Sequence, residues 1–207
     1  VRLAASATLT NATPASFQTT GVNSLTFNAA NTGIAINANV NLSLDSGAVL
    51  LAGFDNTISG AGMLNAAGNR EFIAQIIGAN TLTLNVPLGG SVSPTTGGFT
   101  KSGDGTLVLN AAYGNSFTGT NTLQLGTVQL GASAPSNAFF YKFSVPPTFV
   151  ATTPSVSPDA FVLNGGIFDL NGHAQILGDL LTRSSLPGAG GVLTNTAGGT
   201  ACLLYTS

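Results

Sequence analysis

The side chains that could carry out chemistry in this sequence are few, and most of them are carboxylates. Hydrolysis of a glycosidic bond needs two carboxyl groups that face the same bond, about 5 to 10 Å apart. Asp169 and Asp179 form the only cluster of candidates for this role in the sequence, with His173 between them and Arg183 just beyond. To act together, the two carboxylates would have to lie on stacked coils of one face. The full set of acidic residues is Asp45, Asp55, Glu71, Asp104, Asp159, Asp169 and Asp179.

A structural interpretation of the same cluster competes with the catalytic one, and we favour it. Asp169 and His173 flank the dipeptide Asn171-Gly172. Asn and Gly are typical of tight turns because both tolerate positive φ. We therefore expect a turn here and no catalytic residue.

The sequence gives little support to metal or nucleophile chemistry. Zinc needs three or four ligands, whereas His173 is the sole histidine and Cys202 the sole cysteine. Asp104 lies in Ser102-Gly103-Asp104-Gly105, a stretch typical of a chain corner, and it lacks the repeated Gly-Gly-x-Gly-x-Asp of calcium-binding β-rolls. No serine in a Gly-x-Ser-x-Gly elbow accompanies a usable histidine and acid. The sequence therefore predicts no catalytic, cofactor-binding or metal-binding residue.

Two further groups of side chains need an interpretation. We interpret Lys101 as a residue in contact with solvent. An aromatic cluster farther along could bind a sugar ring or a partner, since it is apolar and close to a predicted loop. We favour a different role, in which these aromatic side chains pack the loop against the flank of the fold. The cluster consists of Phe139, Phe140, Tyr141 and Phe143.

The composition excludes several classes of partner. Only 6% of the residues are charged, against about 25% in typical soluble domains. The net charge is −2, and five scattered basic residues cannot form the clustered patch that nucleic acid requires. No run approaches the ~18 apolar residues of a membrane-spanning helix. Hydrophobic residues make up 43% of the chain, which argues against disorder.

Polar and apolar residues alternate with a period of two along much of the chain. The pattern is clearest in Thr106–Leu109, Thr122–Leu125 and Thr127–Leu130, which glycines separate. Strict alternation predicts half-buried strands, and three such strands with tight corners predict one coil of a solenoid. Similar runs begin near residues 24, 40, 81, 106 and 127. This recurrence predicts a single all-β solenoid over residues 1–201.

Three segments depart from the alternation. Ala48–Phe54 is more continuously apolar, which is compatible with a strand that is buried on both sides or flanked by an insertion. Residues 133–160 hold five prolines and are predicted to form a loop insertion, because proline removes a donor from a sheet. Codons for residues 202–207 can match the end of a sequencing adapter, so we interpret this tail as a scar to be excluded from fold reasoning. The alternative, a genuine terminal strand, stays open.

The stretch FTKSGDGTLVLNAAYGNSFTGTNTLQLGTVQLG, residues 99–131, resembles the autotransporter-associated β-strand repeat, also called the passenger-associated transport repeat. That repeat follows the pattern Thr-Lys-x-Gly-x-Gly-Thr-Leu-x-Leu, then an aromatic-Thr-Gly group and Gly-Thr-Leu-x-Leu-Gly. Asn121 replaces the usual Gly or Thr and Val128 the usual Leu, and neither breaks the strand pattern. The matching residues are Thr100, Lys101, Gly103, Gly105, Thr106, Leu107, Leu109, Phe117, Thr118, Gly119, Gly126, Thr127, Leu130 and Gly131.

The resemblance implies a right-handed parallel β-helix from the passenger of a Gram-negative-type bacterium. In that family the repeat is linked to efficient export and folding and is not itself a catalytic site. The resemblance further implies an extracellular or cell-surface location and a longer chain with a separate translocator or anchor. We expect a structural or adhesive segment whose partners are glycans or surface proteins. Two alternatives stay open: a polysaccharide-active β-helix enzyme and a glycan-binding module.

Overall fold

The structure is a computed structural model that describes residues 1–13, 16–89, 97–112, 114–115, 117, 119–138, 160–183, 190–198 and 200–205. Apart from a short 3-10 turn at Ala67–Asn69, the regular structure of these residues consists of strands. The strands are β1 (Arg2–Leu3), β2 (Ala7–Leu9), β3 (Gln18–Val22), β4 (Leu25–Phe27), β5 (Gly33–Ile36), β6 (Val40–Leu44), β7 (Ala48–Ala52), β8 (Asn56–Gly60), β9 (Met63–Ala66), β10 (Phe72–Ile77), β11 (Thr81–Leu84), β12 (Phe99–Ser102), β13 (Thr106–Leu109), β14 (Asn121–Leu123), β15 (Thr127–Leu130), β16 (Phe161–Leu163), β17 (Ile167–Asp169), β18 (Gln175–Leu177), β19 (Leu180–Leu181), β20 (Val192–Thr194) and β21 (Leu203–Tyr205).

These strands stack into parallel sheets that form the sides of a solenoid. The first sheet has eight strands in the order β1-β4-β7-β10-β12-β14-β16-β19, and the second has eight in the order β2-β5-β8-β11-β13-β15-β17-β20. The third side holds β3-β6-β9 and, farther along the chain, β18-β21. The chain thus passes from sheet to sheet in turn and pairs each strand with the strand one coil earlier. The predicted all-β parallel solenoid is confirmed.

Alternating side chains build the core. In β13, Leu107 and Leu109 are buried between the sheets, while Thr106 and Val108 are only half-buried. β7 follows the same rule, because Ala48, Leu50 and Ala52 are only half-buried. Of the two interpretations of Ala48–Phe54, the strand buried on both sides was therefore wrong. The outer face of the first sheet lies near the surface there, so a continuously apolar sequence still gives a one-sided strand.

The repeat-like stretch 99–131 contributes to two coils and not to one. Phe99 pairs with Asn121, and Thr106 pairs with Thr127, so β12 and β13 lie one coil before β14 and β15. The prediction of one coil with three strands was wrong because it missed β12. The predicted strand Thr122–Leu125 also ends early, at Leu123, and Leu125 lies in an exposed corner.

In one column of the core, an asparagine side chain lies between phenylalanine side chains. Phe72, Phe99, Asn121 and Phe161 occupy successive register positions in the first sheet. The rings of Phe72 and Phe99 are stacked with their centroids 6.4 Å apart. Asn121 is 0% exposed, and within the described residues neither of its amide atoms has a hydrogen-bond partner. An unpaired amide therefore sits in an apolar column.

Asparagine side chains connect the coils on the third side between β9 and β18, where the described residues form no strand. The Oδ1 of Asn115 accepts a hydrogen bond of 2.9 Å from the backbone N–H of Leu88, and its Nδ2 donates one of 3.0 Å to the carbonyl oxygen of Ala138. The Oδ1 of Asn137 accepts another, of 2.8 Å, from the backbone N–H of Ile176. These amides stand in for the backbone ladder between coils.

The predicted insertion and tail fall at the C-terminal half of the solenoid. The insertion 133–160 begins just after β15 and ends just before β16, and residues 139–159 lie outside the described residues. Leu203–Tyr205 pairs in register with Gln175–Leu177. The adapter origin of residues 202–207 concerns the source of the sequence and stays a hypothesis.

In the described part of the chain, no helix has the length and apolar character needed to span a membrane.

Candidate functional site

Lys101 is buried, and its ammonium group closes the corner that follows β12. Its side chain points inward and is 0% exposed. The Nζ donates hydrogen bonds to the carbonyl oxygens of Ser102 at 2.8 Å, Gly103 at 2.7 Å and Leu125 at 3.2 Å. Three acceptors match the three donors of an ammonium group. The interpretation of Lys101 as a residue in contact with solvent was wrong, because its long stem passes through the core and reaches the corner.

Burial also changes the acidity of this side chain. It lowers the pKa of Lys101 from 10.5 to about 8, although the nearby Asp104 carboxylate acts in the opposite direction. The charged form therefore still prevails at neutral pH and gives way to the amine just above it. Since the carbonyl acceptors belong to two successive coils, the side chain joins those coils.

Two glycines allow the corners to approach closely enough for this arrangement. Gly103 and Gly126 have φ values of 74° and 76°, which L side chains rarely adopt. A Cβ on Gly126 would lie 2.3 Å from the carbonyl oxygen of Gly105 and 2.8 Å from the Nζ of Lys101. The spacing Lys-x-Gly-x-Gly therefore places a cation beside carbonyl groups that only glycine corners leave accessible.

Asp169 is the second buried ionisable group, and it also connects coils. Its Oδ1 accepts hydrogen bonds of 3.0 Å from the backbone N–H groups of Asn171 and Thr196. Its Oδ2 accepts bonds of 2.7 Å from Nε2 of Gln129 and 2.5 Å from Oγ1 of Thr196. Burial acts to raise the pKa of Asp169, but the hydrogen bonds from Thr196, Gln129 and Asn171 outweigh it and hold the pKa below its ordinary value. All of these contacts are structural.

The candidate catalytic pair is not brought together. Asp169 lies on β17 in the second sheet, whereas Asp179 is exposed and directly precedes β19 in the first sheet. The two carboxylates therefore do not lie on stacked coils of one face. Arg183 is exposed, and its backbone N–H donates a 2.8 Å hydrogen bond to Oδ1 of Asn164.

The predicted turns are found where they were expected. Asn171 and Gly172 have φ values of 45° and 87°, which confirms the turn between Asp169 and His173. Asp104 is exposed in its corner, where its Oδ1 accepts a 2.6 Å hydrogen bond from the backbone N–H of Gly78.

The remaining sequence candidates form no site in the described part of the chain. The described residues contain no group of three or more His, Cys, Asp or Glu side chains that could hold a metal ion. Cys202 is exposed with a free thiol. The aromatic residues Phe139, Phe140, Tyr141 and Phe143 lie outside the described residues.

A polar groove that the sequence did not predict runs across the outside of the second sheet. It has a volume of about 610 Å³ and crosses β2, β5, β8 and β11. Gly33 and Ala35 face outward on β5 and line it, and the larger side chains of Thr8, Thr57 and Thr83 lie on the neighbouring strands. The groove therefore follows from two small residues on one strand of a sheet whose outer face is rich in hydroxyl groups. Only the register between coils brings these residues together.

Comparisons with family models, with curated proteins and with solved structures found no match for this chain. The resemblance to the autotransporter-associated repeat accordingly depends on the residues quoted for it.

Proposed function

We propose that this chain is a structural and adhesive segment of a secreted or surface-displayed bacterial protein. In this proposal the repeat-like stretch 99–131 assists export and folding, and the segment has no catalytic role. The observation that carries the proposal is the unbroken pairing of this stretch with both of its neighbours. β12 and β13 pair with β10 and β11 of the preceding coil, and β14 and β15 pair with β16 and β17 of the following coil.

This pairing suggests how the stretch could assist folding. In a solenoid each coil contacts mainly its neighbours, so a formed coil can act as the template for the next one. Lys101 adds a contact of its own by donating hydrogen bonds to carbonyl groups of two coils. A segment that emerges outside a membrane could then fold progressively from this point.

The surroundings of the carboxylates support a scaffold more than an enzyme. General acid–base chemistry on a sugar requires two carboxyl groups that can reach one bond. Both oxygens of Asp169 already accept hydrogen bonds from the protein, and Asp179 belongs to another side of the solenoid. The buried acid therefore stabilises contacts between coils.

Removal of one whole coil tests the export role without disturbing the register. The chain is fused ahead of an outer-membrane translocator barrel, and the surface-exposed fraction is measured by protease accessibility. Deleting residues 99–120 removes one coil that includes Lys101, because Phe99 and Asn121 are register partners. Deleting residues 33–56 removes a coil outside the repeat-like stretch, because Gly33 pairs with Thr57.

We expect the first deletion to lower surface display several-fold and the second to lower it much less. The reason is that both deletions shorten the solenoid by one coil, while only the first removes the buried lysine corner. Equal display of the two deletion variants would contradict the export role.

A further inference from the structure

We propose that the groove on the outside of the second sheet binds a strand of an uncharged glycan. The inference concerns the adhesive part of the proposed function but depends on the groove alone. Its volume of about 610 Å³ lies within the range of roughly 300 to 1,000 Å³ that is common for ligand sites. Because the groove crosses four strands of a parallel sheet, its floor is a rigid surface.

The groove offers hydroxyl groups that the protein does not use. Thr57 and Ser59 on β8 and Thr83 on β11 line it, and all three are partly exposed. Thr57 and Thr83 are register partners, so their side chains lie next to each other on the outer face. No hydrogen bond within the described residues involves these three hydroxyl groups. A hydroxyl both donates and accepts, which matches the alternating donors and acceptors of a sugar ring.

The charge of the lining selects against acidic ligands. Asp55 is the charged residue among the side chains that line the groove, and no lysine or arginine is among them. One Asp55 oxygen accepts a 2.6 Å hydrogen bond from the backbone N–H of Thr81, which leaves the other oxygen available to accept from a sugar hydroxyl. A carboxylate is a strong acceptor for such a bond, whereas it repels uronic acids and sulfated sugars.

The corner that carries Asp55 is both rigid and partly apolar. Asn56 is buried, and its Nδ2 donates hydrogen bonds to the carbonyl oxygens of Ala29 at 3.2 Å and Phe54 at 3.0 Å. Its Oδ1 accepts a 2.7 Å bond from Oγ1 of Thr32 in the preceding coil. These bonds fix the corner before a ligand arrives, which lowers the entropy cost of binding. Phe54, next to Asp55 in the sequence, is 47% exposed, although it is not among the residues that line the groove.

Affinity electrophoresis of the full chain tests the proposal. The probes are four neutral polysaccharides, namely a soluble β-glucan, xyloglucan, galactomannan and dextran, with polygalacturonate as the anionic comparison. The groove variant is Thr57→Val with Thr83→Val, which removes two hydroxyl groups and keeps the β-branched shape that suits a strand. The matched control is Thr106→Val with Thr127→Val, on the same face of the second sheet but outside the groove lining.

We expect at least one neutral polysaccharide to retard the chain and polygalacturonate to have no effect. The groove variant should bind about tenfold more weakly, since two hydrogen bonds are lost, and the control should bind as the parent does. Ala35→Leu, which fills the groove, should abolish retardation. Retardation by none of the neutral probes, or equal weakening of the two double variants, would overturn the proposal. Either result would leave the export role, which the coil deletions test separately, unaffected.

Discussion

The ammonium nitrogen of Lys101 lies 3.2 Å from the carbonyl oxygen of Leu125, which belongs to the next coil of the solenoid. The same nitrogen bonds to the carbonyl oxygens of Ser102 and Gly103 in its own coil. A charged side chain in the core is costly unless it is well hydrogen-bonded. The lysine of the repeat-like motif therefore connects two coils from a buried position. Loss or gain of its proton should change the free energy of unfolding.

Replacing Lys101 by methionine should change how stability depends on pH. The pKa of about 8 in the folded chain lies below the ordinary 10.5, so between these values the unfolded chain binds more protons. The free energy of unfolding of the parent should therefore rise with pH relative to that of Lys101→Met. We expect a relative gain of about 2 kcal/mol between pH ~7 and pH ~10, measured by denaturant unfolding at each pH.

The comparison contains its own control, because all other titrating groups are common to the two proteins and cancel in the difference. A difference that stays constant across this range would show that the buried amine does not titrate as expected.

Replacing Asp169 by asparagine should destabilise the fold at neutral pH. In the variant, an amide nitrogen takes the place of one of the two carboxylate oxygens. That nitrogen cannot accept hydrogen bonds such as those that Asp169 now accepts from Gln129 and Thr196. Loss of these bonds should lower the free energy of unfolding by about 1 to 3 kcal/mol. Because the pKa of Asp169 is lowered in the folded chain, its stabilisation is complete above the ordinary carboxyl pKa and disappears as the pH falls through the folded value. Unfolding midpoints at several acidic pH values measure the trend.

Asp179→Asn is the matched control for this prediction. Asp179 is exposed, and the bond that its carbonyl oxygen accepts from the backbone N–H of Phe161 survives the substitution. We expect a change within about 0.5 kcal/mol. If both variants behaved alike, the buried hydrogen bonds of Asp169 would contribute no net stability.

The strands could be predicted because each one has an inner and an outer face. In Thr106–Leu109 and Thr127–Leu130, burial on one side alone enforces a period of two, which is visible in any single strand. The turn at Asn171-Gly172 could be predicted for a similar reason, since positive φ restricts the residue types locally.

Features that depend on the register between coils could not be predicted in this way. β12 was missed because Lys101 occupies an inward position, and its acceptor on Leu125 belongs to another coil. The groove needs Gly33 to stack on Thr57, and Thr57 on Thr83. The coil length changes along the chain, so no fixed period in the sequence reveals these neighbours.

Replacing Asn121 by leucine should stabilise the protein. The side chain is 0% exposed, lies in register between Phe99 and Phe161, and has no hydrogen-bond partner for its amide within the described residues. A buried polar group without a partner costs about 1 to 3 kcal/mol, and leucine has the same number of side-chain heavy atoms and the same branching as asparagine. The free energy of unfolding should rise by about that amount, which corresponds to a few degrees in Tm.

Asn115→Leu is the matched control, because Asn115 is equally buried but bonds to Leu88 and Ala138. That variant should lose about 1 to 3 kcal/mol, since its partners would be left unpaired. Thermal unfolding of the two variants beside the parent distinguishes the cases, and a fall in Tm for Asn121→Leu would contradict the cost assigned to the unpaired amide.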